Sequence, residues 1–370
     1  MTHDLWIEIS LPALRHNTRQ VLFLIGNETG LIAVVKANGY GHGLVEPSKV
    51  FLEAGASALA VTRLDEALAL RRAGITAPIM LLVPIQPSNA EAAVEAELQV
   101  TVTDLELASI LSKAARKMGR VAQVHLKIDT GMGRLGALPE QATSLMVKLA
   151  AMPALNIVGV YTHFANAAEK SIAQAECQFR KFSQTLDEMR MSGLHVHIAH
   201  AANSAALLRL PQSRLDAVRV GTLLYGQYPS QHVPKTLNLM TTWKMKARVT
   251  SVREVPVGTK IGYAGEYIAR RQTRTAVLPL GFADGFTLVP EGPIYRQSLP
   301  ALLARRARRK LCVTIHGQDA PVIGRVAMQT IVVDVTHIAG VEVGTEAVIP
   351  VLRIPSSALV PRIYVDYDLG

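Results

Sequence analysis

The chain has 370 residues, 49% hydrophobic and only 5% aromatic, which is enough apolar material for two cores. Its 39 Lys and Arg against 29 Asp and Glu leave a formal charge of +10, and its two cysteines, Cys177 and Cys312, exclude a disulfide framework and any cysteine metal-ligand spacing. No apolar run is long enough to cross a bilayer and the opening "MTHDLWIEIS" lacks a signal-like apolar segment, so a soluble, cytoplasmic protein without a membrane partner is expected.

In chain order, residues 1–10 contain a strand-like run, "LWIEIS", expected to pair with a later β domain. A helical segment, "LPALRHNTRQVLFLIG", follows it. Eight short apolar runs then recur at 31–36, 58–61, 79–83, 98–102, 122–128, 156–162, 195–199 and 216–220. Amphipathic helix-length segments separate them, such as "TDLELASILSKAARKMG" and "SIAQAECQFRKFSQTLDEMRMSG", whose terminal glycines, Gly119 and Gly193, are helix stops. A doubly wound sheet competes, but eight units favour a closed (β/α)8 barrel over residues 11–235. From 236 to 370 the texture changes to short strands punctuated by Gly and Pro, which reads as an all-β domain. Much of the excess positive charge sits in "ARRARRK", residues 304–310. Without aromatic interleaving it is read as a solvated patch, and no nucleic-acid partner is expected.

Barrel chemistry gathers at the C-terminal ends of the strands, where the loops converge. Polar residues fall there repeatedly: Lys36, then Lys127 and Asp129 with Arg134 in the next loop, His163, Asn203 with Ser204, and Arg219. The loops after strands seven and eight are the fold's usual phosphate site, and Ser204, Gly221 and Thr222 are small residues placed there. Gly131, Gly133 and Gly136 match G-x-G-x-x-G, but residues 151–162 contain no acid to hold a ribose, so a nicotinamide site is not expected. A strand-end lysine beside a phosphate site points to a Schiff base with a phosphorylated aldehyde, which pyridoxal phosphate supplies. A Schiff-base aldolase acting on a phosphorylated sugar is the competing reading.

Eight motifs, in order, carry a further reading: "AVVKANGYGHG", "HLKIDTGMGRLG", "YTHFANAAE", "HAANSAA", "VRVGTLLYG", "IGYAGEY", "LPLGFADGF" and "GRVAMQ". Over nearly its whole length the chain resembles the alanine racemase family, pyridoxal-phosphate enzymes of fold-type III. The resemblance implies a barrel plus a β domain and a head-to-tail homodimer whose active sites are completed by the partner subunit. It implies that Lys36 carries pyridoxal 5'-phosphate covalently and is the base on one face of the substrate Cα. Tyr263 is then the opposite base, delivered by the other subunit, with His163 and Arg219 as its relay. The resemblance also sets Arg219 against the cofactor's ring nitrogen. Tyr40, Asn203, Ser204, Gly221 and Thr222 match positions that bind the cofactor. Arg134 matches the residue that bridges the cofactor and the substrate carboxylate, Met328 the residue whose main chain contacts that carboxylate, and Lys127 a lysine that many members carbamylate with CO2. No metal is implied.

The chain departs from the family at Gln329, where an acid is usual, at Phe282 in place of tyrosine, at Leu288 in place of arginine, and at Ala358 near the entrance. These changes gather at the substrate end. The activity that the resemblance implies is interconversion of L- and D-alanine. The alternatives are a racemase of serine or of broader specificity, a fold-type III decarboxylase, a cofactor-carrying protein without turnover, and nucleic-acid binding through residues 304–310.

Overall fold

The computed structural model describes residues 3–288 and 311–370, so the basic tract at 304–310 lies outside the described residues. The chain forms two compact units: Leu11–Thr242, and the N-terminal strand up to Ser10 joined with Trp243–Leu369.

In the first unit eight parallel strands close into a barrel: β2 Gly30–Val34, β3 Ala58–Val61, β4 Ile79–Leu81, β5 Gln99–Val102, β6 Ala122–Lys127, β7 Leu155–Tyr161, β8 Ala199–His200 and β9 Ala217–Val220. β9 returns to β2, with Gly30 opposite Ala217, so no strand edge is left open. Of the run expected at 195–199 only Ala199 lies in a strand, and β8 is that residue with His200. There the Asp216 carboxylate takes the Ala199 N–H at 2.7 Å, and the β8–β9 ladder shrinks to His200 opposite Ala217.

Because side chains alternate along a strand, one parity of each run fills the barrel interior. Around β2 to β4 that filling is apolar: Ile32, Val34, Ala58, Ala60 and Met80 pack with Tyr161 and Ala217. Around β5 to β9 it is polar: Thr101, His125, Lys127, Tyr161, His200 and Arg219 are all buried. The half-polar interior is where the site is built.

The unit's boundary falls after Thr242 rather than after residue 235. The side chain of Asn17, buried in the helix Leu11–Ile25, donates to Met240 O at 3.0 Å and accepts from Met240 N at 2.8 Å. His16 meets Asn238 O at 2.7 Å. These bonds hold the connecting segment on the first helix.

The second unit is built on a nine-stranded sheet, with β1 Leu5–Ser10 set between β10 Trp243–Arg248 and β19 Arg362–Val365. Beyond them lie β11 Ser251–Val255, β14 Thr273–Leu278, β15 Cys312–Ile315, β16 Gln318–Ile323, β17 Ile331–Asp334 and β18 Glu346–Ile349. A separate ribbon pairs β12 Lys260–Ile261 with β13 Tyr267–Ile268. The buried Glu8 of β1 accepts from Trp6 Nε1 at 3.1 Å and pairs with Lys246 at 2.9 Å, so its charge is compensated inside the sheet.

Gly159 in β7 tests the close approach of β8 to this barrel wall. A Cβ added there would lie 2.5 Å from Ile198 O and 2.9 Å from His125 Nδ1. Gly159→Ala is expected to lower unfolding stability by about 2 kcal/mol or more, read as a reduced urea midpoint, because backbone rather than a flexible side chain blocks the added methyl.

Candidate active site

At the C-terminal mouth of the barrel lies a cavity of about 380 Å³, within the range of small-molecule sites. Ten of the residues singled out from sequence line it. Five carry titratable or cationic groups (Lys36, Lys127, Arg134, His163, Arg219), and Tyr40, Asn203, Ser204, Gly221 and Thr222 form the rest. Tyr263 and Met328 are not in this lining. They belong to the second unit, where they are 67% and 62% exposed. Phe282, Leu288, Gln329 and Ala358 are also exposed residues of that unit.

Lys36 follows β2 directly, and the chain then winds left-handed through Ala37 (φ 54°), Asn38 (53°), Gly39 (60°) and Tyr40 (53°). Three of those four are L-residues, for which this region costs about 1–2 kcal/mol each. The turn is closed by Gly41 N bonding to Ala37 O and Asn38 O, and by Gly43 N bonding to Asn38 O. It carries Tyr40 onto Tyr225, ring centroids 4.9 Å apart. His42 is anchored below: Thr242 Oγ1 donates to Tyr225 O, so it accepts from His42 Nε2 at 2.8 Å. Burial, and next the Arg134 charge, lower the pKa of Lys36, while Glu66 opposes the change.

Arg219 is 4% exposed, and both of its Nη atoms are bonded to fixed acceptors. Nη1 reaches His200 Nδ1 at 2.7 Å and His200 O at 3.1 Å. Nη2 reaches Thr162 O at 2.7 Å, Ala201 O at 3.1 Å and His163 Nδ1 at 3.3 Å. An arginine can only donate, so both histidines must present lone pairs to it and carry their protons on Nε2. His200 Nε2 then donates to His125 Nδ1 at 3.1 Å, and His125 Nε2 to Gln99 Oε1 at 3.1 Å. One charge thus sets three tautomers. Burial lowers Arg219 to about 10, which leaves it protonated at neutral pH.

The sequence reading missed Tyr161, His125 and His200. Tyr161 stacks on His200 with centroids 4.9 Å apart, and Arg219 Cζ and Lys127 Nζ lie 4.9 and 5.2 Å from its ring centroid. Its hydroxyl meets Thr101 Oγ1 at 2.7 Å, and burial pushes its pKa to about 12, so a neutral phenol offers its ring face to both cations. A signal existed: His125 shares strand parity with Lys127, and His200 precedes the "AANS" loop. Lys127 itself is lowered to about 8 by burial and then by Arg134 and Arg219.

The Gly131–Gly133–Gly136 loop wraps a carboxylate. Asp129 Oδ1 accepts from the backbone N–H of Gly131, Met132 and Gly133, and Oδ2 from that of Arg134, at 2.7–3.1 Å. Burial works against the charge, but these four donors prevail and hold the Asp129 carboxyl below its ordinary range. The N–H groups that a dinucleotide would need are already taken.

At the far side of the cavity Asn203 caps the helix Ser204–Arg209, accepting from Ala205 N and Ala206 N. Ser204 Oγ accepts from Gly221 N at 3.2 Å. A Cβ on residue 221 would lie 2.6 Å from Tyr40 Oη, so only glycine lets the tyrosine hydroxyl reach this corner. Among the described residues, four cations and no carboxylate line the cavity. That donor set, with the glycine-lined corner, fits a phosphorylated aldehyde joined to an amine, and with it an anionic substrate.

Fold and site together define a (β/α)8 enzyme centred on a half-buried, strand-end amine. Comparison with known proteins is specific. The family descriptions "Alanine racemase, N-terminal domain" and "Alanine racemase, C-terminal domain" match residues 9–229 and 242–355. The alanine racemase of Desulforamulus reducens is 42% identical over 94% of this chain and 90% of its own length, and that of Methanococcus maripaludis 40% over 93% and 88%. Among solved structures, alanine racemase of Clostridium difficile 630 superposes with a TM-score of 0.91 at 30% identity, covering 100% of this chain and 98% of its own. That of Bacillus anthracis with bound L-Ala-P gives 0.87 at 30% identity, covering 100% and 97%. The chain belongs to the alanine racemase family.

The histidine network carries a pH signature. Burial, and next the Arg219 charge, lower both His125 and His163 to about 3, and the same causes take His200 well below its ordinary value of 6.5. The unfolded chain binds protons at these groups that the folded chain refuses. Stability is therefore complete above pH 6.5 and is lost as pH falls toward 3, by up to about 1.4 kcal/mol per histidine per pH unit. The urea midpoint is expected to drop between pH 6.5 and 5, before carboxylates titrate; a flat profile over that interval would contradict the assignment.

Proposed function

We propose that this chain interconverts L- and D-alanine with pyridoxal 5'-phosphate held at Lys36, using Lys36 and Tyr263 as bases on opposite faces of the substrate Cα. One observation carries the reading: in a member of this family, the strand-end amine and the carboxylate-free cation set line one cavity. When bound, the cofactor supplies an electron sink that makes the Cα proton acidic.

The side chains do the rest. Tyr40, Asn203, Ser204, Gly221 and Thr222 would hold the phosphate end. Lys36 Nζ, desolvated and beside Arg134, gives up its proton more readily than a free amine and so can take one from Cα on its own face. Tyr263 Oη, contributed by the partner subunit, would return a proton on the other face. The Nε2–H of His163, fixed by the Arg219 bond to Nδ1, is available to donate toward that oxygen. Arg219 stays protonated and can only donate, so it would keep the ring nitrogen as an acceptor, limiting charge withdrawal into the ring and favouring simple proton return over transamination.

Arg134 and the Met328 main chain would bind the substrate carboxylate. Lys127, with a pKa of about 8, has a neutral fraction near pH 8 that can attack CO2, forming an N–C bond and releasing a proton. The resulting carbamate would end the repulsion among Lys127, Arg134 and Arg219. A head-to-tail homodimer accounts for Tyr263, Phe282 and Met328 standing exposed on one unit. The two free cysteines accord with a reducing cytoplasm, where the product would serve D-alanine supply. A second reading, racemisation of serine or a wider set, is favoured by Phe282, Leu288, Gln329 and Ala358 at the substrate end.

Three measurements test these assignments. With added cofactor, L-alanine is expected to lose optical rotation fastest in a panel of L-amino acids; serine leading would select the second reading, and no racemisation would end both. Tyr263→Phe is expected to cut kcat by about 10³-fold, and mixing it with a Lys36→Ala chain should restore roughly a quarter of full activity, because half the dimers then hold one intact site. Depleting CO2 and bicarbonate at pH 8 should lower turnover, and their return should restore it.

A further inference from the structure

Glu66 lies in the helix Leu64–Arg72, away from the motifs. Its Oε1 accepts from Asn38 N at 2.9 Å, across to the middle of the left-handed turn that follows Lys36. Its Oε2 is fully buried with no hydrogen-bond partner. A carboxylate oxygen buried in that way is costly unless its charge is used.

We infer that Glu66 is the positioning residue of Lys36, clamping the left-handed turn through Asn38 N while its partly buried carboxylate supplies counter-charge near the amine. The turn needs such a clamp. Ala37, Asn38 and Tyr40 sit where L-residues are disfavoured, and Asn38 N is held by the Glu66 side chain. If the turn relaxed, Lys36 at its start and Tyr40 at its end would shift together, although one holds the amine and the other lines the phosphate corner.

The charge is not spent elsewhere. Arg63, which also feels Glu66, is committed to Asp65 through three contacts at 2.7–3.2 Å. The groups acting on Lys36 are Arg134, which drives its proton off, and Glu66, which retains it; Lys127 and His163 in turn feel Lys36. Among these groups Glu66 is the carboxylate that answers a cluster of cations. It keeps the desolvated amine from losing its proton too far below working pH.

The inference rests on Lys36 being the working amine, and its test does not need turnover. In full-length protein freed of cofactor, the rate of Lys36 acetylation by acetic anhydride is followed against pH by peptide mass spectrometry. Glu66→Gln keeps an acceptor for Asn38 N but removes the charge; its Lys36 midpoint is expected to fall by roughly one pH unit. Glu66→Ala removes both and should lower the midpoint equally. When reloaded, the alanine variant should show a weakened cofactor affinity and an altered visible band, both largely retained in Glu66→Gln. A Lys36 midpoint in Glu66→Gln equal to that of the unaltered protein overturns the inference, and Glu66→Gln alone decides it if Glu66→Ala does not fold. Absence of racemisation in the unaltered protein would instead be a failure of the proposed function, and the two outcomes are read separately.

Discussion

A permanently charged guanidinium sealed inside a barrel is the constraint around which this site is organised. Arg219 cannot discharge itself by losing a proton at neutral pH, so its buried donors need acceptors, and those of both Nη atoms find them within the wall. The acceptors are three backbone carbonyls and two imidazoles, from His200, Thr162, Ala201 and His163. The consequences spread outward. His200 must turn its lone pair to the arginine, His125 must turn its own to His200, and Tyr161 must keep its proton and offer its ring. The barrel half that holds these groups is polar for that reason, while the other half packs Ile32, Val34, Ala58, Ala60 and Met80 as an ordinary core.

Charge at the cavity mouth follows the same logic. Burial lowers both Lys36 and Lys127, the Arg134 charge lowers both further, and Arg219 adds to the effect at Lys127. Asp129, the carboxylate nearest in sequence to this group, is committed to four backbone N–H groups. Excess positive charge therefore remains for whatever enters, and both lysines lose their protons more readily than free amines. Destabilising charge repulsion and chemical competence are one property of the arrangement, and the left-handed turn after Lys36 stores further strain at the same point.

Much of this was legible in the residues. Eight β-branched runs separated by amphipathic segments are a periodic signal, and periodicity survives without tertiary context because it reports burial of one face. The strand-end position of Lys36, Lys127, His163, Asn203 and Arg219 was legible for the same reason: the fold places the ends of parallel strands at one mouth. Reading failed where neighbours in space, not in sequence, decide. "HVHIA" alternates like a strand, yet Asp216 removes the Ala199 N–H from the ladder. "GMGRLG" has the spacing of a phosphate loop, yet it encloses its own aspartate. The segment after residue 235 looks like the start of the β domain, yet Asn17 ties it to the first barrel helix.

By itself, then, the sequence determined the element types, the closure of eight units into a barrel, and which strand ends bear chemistry, because these depend on local pattern and on the fixed alternation of side chains. The tertiary structure alone decided protonation and aim. The tautomers of His163, His200 and His125 follow from where Arg219 points. In the left-handed turn after Lys36, Asn38 N is bonded to Glu66, 28 residues further along the chain. Such properties belong to distances between groups remote in sequence, and no run of neighbouring residues encodes them.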